Sequence, residues 1–85
     1  MFKNKAEGGS NNLCGKQIYT FRKSAIPKMS QRIFAENCQL LGLDIDKNAV
    51  QRIECGKRFV TDIELVCFSK ILGVSIDILL NGKCD

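Results

Sequence analysis

Histidine is absent from the 85-residue chain, and proline occurs once, at Pro27. Without an imidazole there is no common base to activate a hydroxyl or thiol, and no nitrogen ligand to complete a mixed zinc set. Cys14, Cys38, Cys55, Cys67 and Cys84 stand far apart, with no Cys-x-x-Cys pair, and their number is odd. Neither a zinc site nor a disulfide framework is expected; the five read as reduced thiols serving as small apolar side chains. No nucleophile motif or phosphate loop appears, so no enzyme and no cofactor is expected. Cys55, beside Arg52 and Lys57, leaves open a redox-sensing thiol. No apolar run is long enough for a membrane span, and none of seven or more residues follows Lys3 and Lys5, so neither a span nor a signal peptide is expected and a cytoplasmic location is. Alternating Val/Thr-rich segments with hairpin turns are also missing, which argues against β structure.

What is present fits one small globular domain: 45% hydrophobic and 26% charged residues. A chain this short buries only about 60% of its unfolded surface, so its apolar residues are needed in the core. Residues 1–13 differ from the rest. They hold Gly8, Gly9, Ser10, Asn11 and Asn12 and few large apolar side chains, so a flexible tail is expected there, followed by a folded unit over 14–85. Charge is unevenly spread. Residues 15–58 carry nine Lys or Arg against four Asp or Glu, a balance of +5, whereas residues 59–85 carry two against four, or −2. A basic front and an acidic back suit a face laid on a polyanion.

Helix signals punctuate the chain. Ile18, Phe21 and Ala25 mark an amphipathic first helix that Pro27 stops. Ser30 is an N-cap for a second, with Phe34, Cys38 and Leu41 along one face, Ile33 and Ala35 beside them, and Gly42 at its end. Asp46 caps a third, Lys47–Cys55, in which Val50 and Ile53 face inward and Gly56 stops the turn. Thr61 and Glu64 form a capping box for a fourth helix with a seam of Leu65, Phe68 and Leu72, ended by Gly73. Ser75 opens a fifth carrying Ile76 and Leu79. The fold class expected is all-α, with five short helices, the second and third joined by a glycine-containing turn as in a helix-turn-helix.

The run SQRIFAENCQLLGLDIDKNAVQRIECGK, Ser30 to Lys57, resembles the helix-turn-helix of lambda-repressor-like and Cro-like transcriptional regulators. The likeness extends to Ile18, Phe21 and Arg22 upstream and to ILGVSIDILLNG, Ile71 to Gly82. It carries departures: about three extra residues between Ala35 and the third helix, about two more in the link Ala25–Met29, and Cys55 where the family commonly has asparagine. The resemblance implies a five-helix DNA-binding domain whose third helix reads bases in the major groove through Lys47, Asn48, Gln51 and Arg52. The residue types suit that work, since Lys and Arg donate to guanine and Asn and Gln pair with adenine. Gln31, Lys57 and Arg58 are the expected phosphate contacts, and Arg22 with Glu54 the expected salt bridge bracing the first helix against the third. Ala35 and Gly42 are read as small residues that let the second and third helices approach. A sequence-specific repressor binding double-stranded DNA as a homodimer is the leading expectation, its dimer surface drawn from Ile63, Val66, Ile71, Ile78 and Leu80. An antitoxin-like or regulatory protein-interaction module using the last two helices is the alternative.

Overall fold

The computed structural model describes residues 11–81 as five helices with no strand among them: α1 (Gly15–Ser24), α2 (Gln31–Leu40), α3 (Lys47–Glu54), α4 (Asp62–Leu72) and α5 (Ile76–Asn81). Side-chain caps set the starts of α2 to α5. Ser30 Oγ accepts from the Ile33 N–H at 3.1 Å, Asp46 Oδ1 from the Ala49 N–H at 2.8 Å, and Ser75 Oγ from the Ile78 N–H at 3.2 Å. Thr61 and Glu64 exchange bonds in a complete capping box. Each cap satisfies a donor that a helix start leaves without a partner, typically stabilising by about 1 kcal/mol.

The ends of α2 and α3 share one device. Gly42 and Gly56 adopt φ of 91° and 78°, which lets the chain fold back on the last turn. The Leu43 N–H then reaches the Cys38 carbonyl (3.0 Å) and the Lys57 N–H the Arg52 carbonyl (2.8 Å), the outer bonds of two Schellman motifs.

The core lies where α1, α2, α3, α4 and α5 meet. Ile18, Phe34, Cys38, Val50, Ile53, Phe68 and Leu79 are fully buried, and the Phe34 and Phe68 rings pack 5.4 Å apart at 44°. Cys14 and Cys38 belong to this core. Loss of hydration pushes both thiols up to about 11, so they stay protonated and behave as apolar groups. Cys67 is half-buried and Cys55 exposed, all four being free thiols; Cys84 lies outside the described residues.

The structure corrects three expectations. Leu41 and Ile33 do not join the inner face of α2; each is 46% exposed. Leu41 is the C-cap, where the chain leaves the helical path, and the buried stripe is Phe34, Ala35 and Cys38. Ile45, in the lengthened link, is buried in the core, and Leu43 packs against it. Gly42 faces open space, with nothing within 4 Å of a Cβ placed there; it serves the turn and not a helix crossing. The close approach is at Gly15 instead, where a Cβ would run into the Ile53 carbonyl oxygen. Finally, Asn11 and Asn12, expected in the flexible tail, are hydrogen-bonded to the turn after α3; residues 1–10 lie outside the described residues. Among the described residues no helix is long and apolar enough to cross a membrane.

Candidate nucleic-acid interface

α3 has eight residues, about 12 Å of helix at 1.5 Å per residue. Val50 and Ile53 are fully buried beneath it, while Lys47, Asn48, Gln51 and Arg52 are all exposed. At 100° per residue these four span about 140° of the circumference, one continuous polar face opposite the apolar one. None of their side chains makes an ion pair among the described residues. The sequence therefore placed the outward set as the structure has it.

Contacts on every other side hold this helix. Asp46 caps its start, and one residue earlier the Ile45 carbonyl accepts from Gln39 Nε2 at 3.0 Å, tying the α2–α3 link to α2. Along its flank, Arg22 of α1 meets Glu54 in a two-pronged pair: Nε to Oε2 at 2.7 Å and Nη2 to Oε1 at 2.9 Å. Both side chains are less than one-tenth exposed. Arg22 Nη1 also donates to the Met29 carbonyl at 2.9 Å, so the guanidinium joins α1, the α1–α2 link and α3. The expected brace is present and more extensive than a simple pair.

The three expected phosphate contacts fall in different surroundings. Lys57 is exposed at the end of α3 and forms no ion pair among the described residues. Arg58 is half-buried and engages both carboxylate oxygens of Glu64 at 3.2 and 3.1 Å, which ties the α3–α4 turn to the start of α4. Gln31 is half-buried and donates through Nε2 to Glu54 Oε1 at 3.0 Å. Its amide is thus part of the Arg22–Glu54 network, a link that sequence reasoning did not signal.

Beside α3 an open cleft of about 600 Å³ is lined chiefly by Lys23, Lys28, Ser30, Gln31, Arg32 and Lys47, and among the described residues no acidic one lines it. It brings the α1–α2 link and the N-terminus of α2 alongside the start of α3. Lys23, Lys28 and Arg32 were not singled out from sequence. The signal was there in the run of basic residues through 16–32, but only the fold places them on the side of Lys47.

The apolar residues set aside for a dimer divide. Ile63 is 68% and Val66 41% exposed, whereas Ile71, Ile78 and Leu80 are half-buried, Ile71 packing against the core. Among the described residues no group of three or more His, Cys, Asp or Glu could hold a metal ion. No family model, curated protein or solved structure matches the chain.

Proposed function

We propose that the chain is a lambda-repressor-like helix-turn-helix domain that binds double-stranded DNA sequence-specifically, as a transcriptional repressor, with α3 as its reading helix. One observation carries this reading. A helix gripped from its flank and both ends presents Lys47, Asn48, Gln51 and Arg52 outward with none of them in an ion pair among the described residues. An α-helix fits the major groove, and such side chains match base-edge donors and acceptors. The basic cleft beside Lys47 and the exposed Lys57 lie at opposite ends of the helix, where the two walls of the groove would carry phosphates.

Two copies on neighbouring half-sites would bring the contacts to a useful number, with Ile63 and Val66 of α4 as the pairing face. Those same exposed residues are what favours the second reading, a protein-interaction module working through α4 and α5.

The test is selection of bound sequences from random duplex DNA, followed by titration of the selected site at rising salt. A defined site, affinity falling steeply with salt, and loss of discrimination in Asn48→Ala and Arg52→Ala are expected. No duplex binding at low salt overturns the reading.

A further inference from the structure

Two asparagines that precede α1 are fastened to the turn that follows α3. Asn12 Nδ2 donates to the carbonyl oxygens of Ile53 at 3.0 Å and Arg58 at 2.7 Å, and its Oδ1 accepts from the Gly15 N–H at 2.8 Å. Asn11 adds two more bonds, from its backbone N–H to the Gly56 carbonyl at 2.7 Å and from Nδ2 to the Lys57 carbonyl at 3.0 Å. Four carbonyls across the end of α3 and its following turn, those of Ile53, Gly56, Lys57 and Arg58, therefore accept from a segment more than 40 residues away in the chain. The close seating of Gly15 against the Ile53 carbonyl belongs to the same contact.

The last carbonyls of a helix have no partner within it. At the end of α2 the Schellman turn supplies the bonds, and the residues beyond are acidic or apolar. At the end of α3 the turn carries the exposed Lys57, and here an amide from outside the helix pair clasps the turn on both sides of that residue. Cys55, one residue before the glycine, is exposed and supplies no such bond.

We propose that Asn12 is a positioning residue for the DNA-contacting end of α3. Its side-chain amide joins the carbonyl that closes the helix to the carbonyl just after Lys57, so the direction in which Lys57 leaves the protein is set before any ligand arrives. A lysine on an unclasped turn would have to lose that freedom on binding, and affinity would fall accordingly. The inference rests on the DNA reading of α3, but the clasp itself is measurable without DNA.

The experiment has two arms on the full chain. Heteronuclear NOE values of the Lys57, Arg58 and Phe59 amides are measured in the parent, in Asn12→Ala and in Asn12→Asp, without DNA. Aspartate keeps the acceptor for the Gly15 N–H and loses the donor to Ile53 and Arg58, so it separates the start of α1 from the clasp. Both variants are expected to lower the NOE at residues 57–59 and to leave the α2 amides unchanged. The second arm titrates parent, Asn12→Ala, Lys57→Ala and the double variant with the selected duplex. Asn12→Ala is expected to weaken binding by roughly threefold to tenfold, the scale of one or two hydrogen bonds. Lys57→Ala should then cost less in its background, the two factors failing to multiply. A merely structural asparagine would give factors that multiply, and that result overturns the positioning role, as do unchanged NOE values. A parent chain that binds no duplex overturns the DNA reading and the positioning role with it, while the NOE arm still decides the clasp. If Asn12→Ala does not fold, Asn11→Ala, which removes one side-chain bond to the Lys57 carbonyl at the surface, takes its place in both arms.

Discussion

Replacing Arg22 and Glu54 with apolar residues of similar size, singly and together, tests whether α3 is braced as described. Arg22 is 6% exposed and its guanidinium donates to Glu54 twice and to the Met29 carbonyl once. Glu54→Leu removes two of those three acceptors and leaves a cation buried with only the third. Arg22→Met leaves a buried carboxylate held by Gln31 alone. Breaking a buried pair from one side typically costs about 3–5 kcal/mol. A chain of this size has only roughly 4–13 kcal/mol of total stability, at about 0.05–0.15 kcal/mol per residue. Each single variant should therefore be marginal at 25 °C. The double variant buries no charge: it gives up the pair itself along with the bonds to Met29 and Gln31, and because replacing a whole buried pair by apolar side chains is often near neutral, it should lie within about 2 kcal/mol of the parent. Urea unfolding followed by helical circular dichroism gives all four corners of the cycle, and a coupling of about 3 kcal/mol or more is expected. Single costs that simply add in the double variant would show two independent charges and refute the brace.

Four further outcomes are expected. Stability should fall with pH between about 9 and 11, because thiols raised to about 11 in the folded chain ionise first in the unfolded one, from 9.0. Each then contributes a loss of about 1.4 kcal/mol per pH unit, and Cys38→Ala should reduce the slope measured by urea titration at several pH values by that amount. Gly15→Ala should lower the melting temperature despite alanine's better helix propensity, because its Cβ meets the Ile53 carbonyl, at about 1–3 kcal/mol. Gly42→Ala, with open space but φ of 91°, should cost about 1–2 kcal/mol from backbone strain alone. Ile63→Asp should dissociate a dimer seen by sedimentation and weaken duplex binding together; a parent chain that sediments as a monomer with and without DNA removes α4 as the pairing face.

Local chemistry made much of this legible in the sequence. Caps act within three residues, so Ser30, Asp46, the Thr61–Glu64 box and Ser75 could be read from spacing, and all four form. The inward pair Val50 and Ile53 followed from helical periodicity. Leu41 failed because periodicity assumes that the helix continues, and at a C-cap it does not. Bonds that depend on the fold left no pattern in the sequence: the short-range ones from Gln39 to Ile45 and Arg58 to Glu64 across turns, and the distant ones from Gln31 to Glu54 and from the two asparagines to the turn after α3. Asn11 and Asn12 sit in a polar, glycine-containing run whose composition signals disorder, and composition cannot show that a carbonyl-rich helix end will fold up against it.

Those bonds bear on how firmly α3 is held. A helix of eight residues is too short to be stable alone in water, where about 12–15 are needed for even marginal helicity. Burial of Val50 and Ile53 docks it against the core. The chain goes further and adds the Asp46 cap at its start, the Arg22–Glu54 pair on its flank and the Asn12 amide at its end, each from a different part of the sequence. Base-edge recognition depends on hydrogen-bond geometry, which a rocking helix would blur. Rigidity applied from three directions to α3, with its long-armed polar face, is what the proposed reading role requires.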